Sequence, residues 1–358
     1  MAESARGSLG RSLLADSSER PEVQKGDSSL AVLISAFNAE RYIVESVTSA
    51  LSQTYQNTSV WVIDDGSTDR TWDLLSQIES PRLHRFSRRN RGKAASINEL
   101  LERCGATYFA MQDADDLSDP ERAAVVVKRL DEDPDLALVL SGYEAFIDGR
   151  RKYRISRSIS TDEVARIIDS YSVPSHDATM AGRVDIARAI GFDSSFRIGQ
   201  GIDFIWRVGE RHRVLVVPEV LYRYRVHGES TTLSSTAELT YKSARVTAAA
   251  VSRRTGSTVT EEEVIKRFGI RHDVANNMYG TYALAVRTAI AEGDRSRAIR
   301  VGLHSAWRVR LGPRYLRPLL LALGGDRVAD WRRARTTSSV PPEAEFFAKP
   351  GLRKRGSS

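Results

Sequence analysis

The stretch Tyr108-Phe-Ala-Met-Gln-Asp-Ala-Asp-Asp-Leu-Ser-Asp-Pro120 concentrates chemistry: Asp113, Asp115 and Asp116 put three carboxylates within four residues. Anions this close repel one another unless water solvates them or a cation neutralises them. Oxygen-only donors at this density suit a hard divalent ion such as Mg²⁺ or Mn²⁺. A solvated acidic turn would carry the same residues. The flanks place the cluster. Tyr108 to Met111 is a short apolar run that reads as a buried strand. Asp119 before Pro120 reads as an N-cap followed by proline at the first helical position. The carboxylates therefore lie in a strand-to-helix loop.

The elements before that loop alternate. Leu30 to Ala36 is a nearly continuous apolar run, the pattern of a strand buried on both faces. Glu40 to Gln53 has helical periodicity through Ile43, Val44, Val47, Ala50 and Leu51. Val60 to Ile63 is the next strand, closed by Asp64-Asp-Gly-Ser67. A helix over Thr71 to Ile78, a strand over Leu83 to Phe86, a basic loop Arg88 to Lys93 and a helix over Ala94 to Cys104 follow. After the acidic loop come a helix ending near Asp131 and a strand from Leu136 to Tyr143. This alternation predicts an α/β domain with a largely parallel sheet. Ligands bind outside the carboxyl ends of such strands. Right-handed crossovers place Ser35–Asn38, Asp64–Ser67 and Asp113–Asp116 on one edge. No Gly-x-Gly-x-x-Gly follows the first strand and no Walker-type loop occurs, which excludes the usual dinucleotide and P-loop classes.

Beyond Tyr143 the alternation loosens. Thr161 to Tyr171 reads as a helix with Thr161 as its N-cap. A short helix ends at Gly191. Strands are predicted over Val214–Val217 and Leu221–Val226, and helices from Ala237 onward. Thr260 with Glu263 forms a capping-box signature, and Asn276 to Ala291 is amphipathic.

The chain has 358 residues, 41% of them hydrophobic, and a net charge of +7. That length allows one large domain with an appendage. The boundaries expected are a disordered tail over 1–29, a catalytic domain over 30–235, a helical region over 236–335 and a flexible basic tail over 336–358. One cysteine, Cys104, rules out an intrachain disulfide and suits a reducing compartment. No signal peptide or run long enough to span a membrane is visible. A cytosolic protein is expected, with room for attachment to the inner face of the plasma membrane. The surplus of positive charge favours anionic partners.

In family order, the motifs resemble those of the family 2 glycosyltransferases with the GT-A fold. They are Ser35-Ala-Phe-Asn38, Asp64-Asp-Gly-Ser-Thr-Asp69, Asn90 with Gly92 and Asn98, Gln112-Asp-Ala-Asp-Asp116, Gly191-Phe-Asp193, and Arg225-Val-His227 with Gly228 and Ser230. They run from Leu30 to about Thr232. The resemblance implies inverting transfer of a sugar from a nucleoside-diphosphate sugar, UDP-linked by expectation. The acceptor would be a hydroxyl of a glycan or lipid-linked molecule in polysaccharide or glycoconjugate synthesis. Mn²⁺ or Mg²⁺ would be the cofactor, and no nucleic acid is expected as a partner. By position, Ser35, Phe37 and Asp65 are expected around the nucleotide base, where a carboxylate can accept the N3–H of uracil. Asp113 is expected at the ribose or a metal-bound water, Asp115 as a metal ligand, and His227 as a ligand from the far side.

One departure from the family pattern stands out. Many relatives carry Glu-Asp where this chain has Gln200-Gly201, and a carboxylate there serves as base. The base is therefore expected at the later Asp203, which could instead brace its helix; Asp193 and Glu210 stand behind it. Lys93 and Arg91 either meet the diphosphate or are solvated loop charges. Asp64 is expected to bond its own turn, and Trp61 and Trp206 to pack in the core. Two rival functions stay open: a sugar-phosphate nucleotidyltransferase, which would need a glycine-rich first loop that is missing, and a silent sugar-nucleotide-binding subunit, suggested by Gln200-Gly201. Finally, Trp307 to Arg335 holds eight arginines against two aspartates, interspersed with Tyr315, Leu319–Leu323 and Trp331. That composition fits either peripheral attachment to an anionic membrane or helices packed with arginines outward.

Overall fold

Four strands form the parallel half of one sheet: β1 (Leu30–Ala36), β2 (Thr58–Asp64), β3 (Leu83–Ser87) and β4 (Tyr108–Asp113). The computed structural model describes residues 28–147, 150–227, 236–268 and 295–308, with single positions at 270, 286, 290 and 323. Strand β1 lies at the centre of the parallel half. Its side chains alternate between two cores: Leu30, Val32 and Ile34 face one, Ala31 and Leu33 the other. Both layers of helices cover it, so an unbroken apolar run is what the position requires. Helices α1 (Ile43–Leu51) and α4 (Arg122–Glu132) pack on the first face, and α3 (Lys93–Arg103) on the second. Helix α2 (Thr71–Ser76) links β2 to β3.

The second half is mixed. It contains β5 (Leu117–Ser118), β6 (Leu136–Ile147), β7 (Arg150–Ile155), β8 (Ala181–Arg183) and β9 (Arg213–Arg225). The sheet order is β3-β2-β1-β4-β8-β6-β9-β5, with β7 beside β6. Strand β8 runs antiparallel to both β4 and β6, while β6 and β9 are parallel to each other. The two strands expected over 214–226 are thus one. Pro218 cannot donate to the ladder, and a register shift opposite Ser141 and Gly142 takes up Pro218-Glu219 without ending the strand.

Helix α5 (Thr161–Asp169) begins one residue earlier than a cap at Thr161 would place it. Ser160 is the N-cap, its Oγ accepting from the Glu163 amide at 3.4 Å. Asp119 likewise does not cap α4; it accepts from the Glu121 amide at 3.0 Å, forming a turn ahead of the helix. A 3₁₀ turn (Asp177–Thr179) precedes β8, and α6 (Val184–Ile190) ends at Gly191 as expected. Helix α7 (Gln200–Gly209) packs against α8 (Thr236–Thr255), which packs against α9 (Glu261–Phe268). The Thr260–Glu263 capping box forms, with bonds of 2.9 and 3.3 Å. A further helix covers Arg295–Arg308. The amphipathic stretch 276–291, apart from single positions, most of the basic segment 307–335, and both tails lie outside the described residues. No described helix is long and apolar enough to cross a membrane.

Candidate active site

The carboxyl ends of β1, β2 and β4 lie side by side: Ala36 pairs with Asp64, and Ser35 with both Ile63 and Asp113. Asn38, at φ 50°, turns the chain after β1 and stitches that loop to the next. Its amide donates to Ser67 Oγ (2.9 Å), and its Oδ1 accepts from the Thr68 amide (2.8 Å). Asp69 and Glu40 exchange two more bonds with backbone amides across the same gap, each 3.1 Å. The stitching leaves Phe37 52% exposed, a ring held over the loop and free to pack on a ligand. Ser35 sits half-buried beneath it. Gly66 has φ +81°, and a Cβ there would lie 2.7 Å from the Asn90 nitrogen, so the loops close only over glycine. Asp64 bonds its own turn, accepting from the Ser67 amide at 3.1 Å.

Asp65 is buried below these loops. It accepts from the Arg91 and Gly92 amides at 3.0 and 2.7 Å and pairs with Arg88 at 2.6 Å. Its carboxylate thereby fixes the start of α3 and the direction of Lys93. The Arg91 guanidinium, 66% exposed, points to solvent. Lys93 instead turns inward and pairs with Asp113. Burial would lower its pKa, yet Asp113 and Asp177 hold it above the ordinary lysine range. Burial likewise raises the Asp113 carboxyl, and the Lys93 ammonium more than reverses that, leaving it below the usual range.

Asp113, Asp115 and Asp116 present one oxygen each within 4.8 Å of one another. Asp116 is fully buried; it accepts from Tyr222 Oη at 2.8 Å and from the Arg225 amide at 2.7 Å. Burial, with the charges of Asp115 and Asp113, pushes its pKa well above the usual carboxylate range. Asp115 faces His227, whose Nε2 lies 2.8 Å from Oδ2, and its own carbonyl accepts from Arg225. Arg122, 1% exposed, props the cluster from below by donating to the carbonyls of Met111 and Ala178 at 2.7 and 3.1 Å. Burial lowers its pKa to about 10. The donors suit a hard divalent cation: oxygens from three carboxylates, one of them buried with its ionisation opposed by the other two, and an imidazole at the rim.

Lys93 lines a small pocket together with Met111, Asp177, Met180, Phe192, Gln200 and Gly201. Asp203 belongs one turn further along α7. It is 1% exposed, with Arg207 at 2.7 Å on one oxygen and Arg253 at 3.4 Å on the other. Arg207 in turn donates to the carbonyls of Ile190 and Gly191, both at 2.7 Å. Asp203 thus ties α7 to the end of α6 and to α8, a bracing position inside the protein. Glu210 holds Arg253 and Arg254, and Asp193 accepts from the Ser195 amide within its own turn. So the structure gathers Ser35, Phe37, Lys93, Asp113, Asp115 and His227 along one edge, sets Asp65 beneath it, and turns Asp203 away from it.

The sequence marks Asp116 only as a member of the acidic cluster, with no role of its own, and does not single out Arg122, Asp177 or Tyr222. Arg122 and Tyr222 read as ordinary helix and strand positions, and Asp177 lies in the short polar stretch Ser175-His-Asp177. Long-range pairing of β8 and β9 brings Asp177 and Tyr222 to the acidic loop.

Residues 31–191 match the family described as glycosyl transferase family 2. They form a family 2 glycosyltransferase domain. Among curated proteins, an uncharacterised glycosyltransferase of Haemophilus influenzae is 29% identical over 216 residues, 56% of this chain and 67% of that protein. The chondroitin synthase of Escherichia coli is 27% identical over 210 residues, 57% of this chain, which spans only 30% of that longer protein. Among solved structures, S. aureus TarS 1–349 in complex with UDP-GlcNAc aligns over 88% of this chain and 95% of its own, with 16% identity and a TM-score of 0.51. That likeness is one of fold: a mostly parallel sheet with helices on both faces, the GT-A arrangement. In the family 2 domain the stitched loops after β1 and β2 and the acidic loop after β4 occupy the ligand edge of that sheet.

Proposed function

We propose that this family 2 domain transfers a sugar, with inversion, from a nucleoside-diphosphate sugar to a hydroxyl of a glycan or lipid-linked acceptor. The observation that carries this reading is the Asp113–Asp115–Asp116 cluster on the same sheet edge as the exposed Phe37 and the half-buried Lys93. Phe37 offers a face for a nucleotide base, with Ser35 below it and the Asp65-ordered loop beside it. Asp113 is placed for the ribose or a metal-bound water. Lys93 lies within reach of a diphosphate, and Asp115 with His227 would hold a divalent metal, Mn²⁺ or Mg²⁺. When bound, the metal offsets the charge that develops on the departing diphosphate. A role in polysaccharide or glycoconjugate synthesis fits the likeness to a chondroitin synthase. A sugar-phosphate nucleotidyltransferase is less favoured, since the first loop is built from Asn38 and Ser67 bonds and not from glycines. An acceptor at a membrane surface would be reached through the basic segment 307–335.

Thermal melts with UDP, GDP and their sugar conjugates, each with Mn²⁺ and with chelator, test the reading. A ligand at 100 times its Kd adds about 2.7 kcal/mol, a shift of roughly 5 °C or more for a domain this size. We expect UDP with Mn²⁺ to give that shift and UDP with chelator to give little. No shift from any nucleotide in either condition overturns the reading.

A further inference from the structure

We infer that Asp177, from the 3₁₀ turn before β8, is the group that takes the proton from the attacking hydroxyl. This rests on the transferase reading above and names the base for it. Inverting transfer needs an acceptor that is ionised, reaches the reaction space and has an oxygen to spare. Asp203 fails on the last two counts, with both oxygens on arginines inside the protein. Asp177 meets them. Its side chain is 34% exposed and borders the pocket that also contains Lys93, Gln200 and Gly201. Within 4 Å its only described ion-pair neighbour is His176 Nδ1, at 3.7 Å, and that nitrogen is already accepting from the Ala178 amide. No arginine occupies it.

Two features show that the pocket is built around this carboxylate. A Cβ on Gly201 would lie 2.2 Å from Asp177 Oδ2, so α7 can pass the turn only with glycine at that position. Gln200 is 9% exposed, lines the pocket, and its Oε1 has no hydrogen-bond partner. A buried carbonyl oxygen without a donor calls for a ligand that brings one, and a sugar hydroxyl does. The pocket is narrow, so it suits a hydroxyl group of the substrate reaching in, next to the edge where the nucleotide lies.

In the step itself the acceptor oxygen forms a bond to the anomeric carbon with one of its lone pairs. The bond from that carbon to the diphosphate oxygen breaks, and its electron pair leaves with the nucleoside diphosphate. The hydroxyl proton passes to Asp177 and then to solvent. Lys93, between Asp177 and Asp113, links the base to the leaving-group side electrostatically.

Release of UDP from UDP-glucose, UDP-galactose, UDP-N-acetylglucosamine and UDP-N-acetylgalactosamine, and of GDP from GDP-mannose, with Mn²⁺ and water as acceptor, tests this, with UDP affinity by calorimetry alongside. Asp177→Asn is expected to lower release by roughly 10²–10⁴-fold, the usual contribution of a base, with UDP affinity within twofold. The exchange Asp177→Gly/Gly201→Asp moves the carboxylate onto α7 and is expected to regain at least tenfold over Asp177→Gly alone. Asp177→Asn within a few-fold of wild type, or an exchange variant no better than Asp177→Gly, overturns the assignment and leaves the transferase reading standing. A wild-type chain that releases nothing from any of these donors overturns that reading itself.

Discussion

Two groups of carboxylates in this domain are built in opposite ways. At the end of β4, Asp113, Asp115 and Asp116 crowd within 4.8 Å, and among the described residues only Lys93 and His227 pair with their carboxylates through charged or chargeable side-chain nitrogens. Between α7 and α8, Asp203 and Glu210 are matched by Arg207, Arg253 and Arg254. The second group sets three guanidinium groups against two carboxylates, so its negative charge is fully offset, and it joins three helices. The first is short of positive charge, and burial raises the cost of each anion. A cluster left anionic in this way suits a cation, whereas a cluster supplied with its own guanidinium groups suits a brace. Acidity alone does not separate them; the partners do.

The largest effect should come from the receptor. Asp115→Ala removes the carboxylate that faces His227. It should weaken Mn²⁺-dependent UDP binding by at least the roughly 10- to 100-fold that loss of an outer-shell partner costs at a metal site. Calorimetry with Mn²⁺ and with chelator reads this directly. With chelator, wild type and variant should bind UDP alike. If both proteins show the same gain from Mn²⁺, the first cluster is no receptor and the contrast with the second collapses.

The brace makes a different prediction. Asp203→Ala leaves Arg207 and Arg253 without their shared carboxylate in a site that is almost fully buried. Breaking a buried pair costs about 3–5 kcal/mol. Arg253 keeps Glu210 and Arg207 keeps two carbonyls, so the lower end, about 3 kcal/mol, is expected from urea unfolding. UDP release per folded molecule should stay within a few-fold. Unchanged stability with collapsed turnover would return Asp203 to the role of base and remove Asp177 from it.

The same contrast explains what could be read from sequence. The strands and helices of the parallel half follow from apolar runs and helical periods, because each buries a face against its sequence neighbours. The convergence of Asn38, Asp65 and Asp115 followed from handedness alone. The bracing role of Asp203 did not, because it depends on Arg253, fifty residues away on another helix. Asp177 was invisible for a similar reason. Its meaning lies in the missing Cβ of Gly201, and no local pattern connects those two positions. The fusion of two expected strands into β9 was hidden by Pro218, which normally ends a strand and here sits in a register shift.

The smallest effect sharpens the comparison through pH. Burial raises the Glu210 carboxyl, but bonds from Arg253 and Arg254 outweigh that and hold its pKa below the ordinary 4.5. The folded state therefore binds this proton less readily than the unfolded chain. The stabilisation is complete above about pH 5 and is lost as pH falls through the folded value. Glu210→Gln cannot titrate, so the stability gap between wild type and variant reports on this group. The carboxylate is partly exposed, which places the gap at about 2 kcal/mol near neutrality, between the ranges for exposed and buried pairs. It should narrow steadily as pH drops from about 5 toward 3. A gap that stays constant over that interval would mean that Glu210 contributes by packing and not by charge. The α7–α8 cluster would then owe its strength to Asp203 alone.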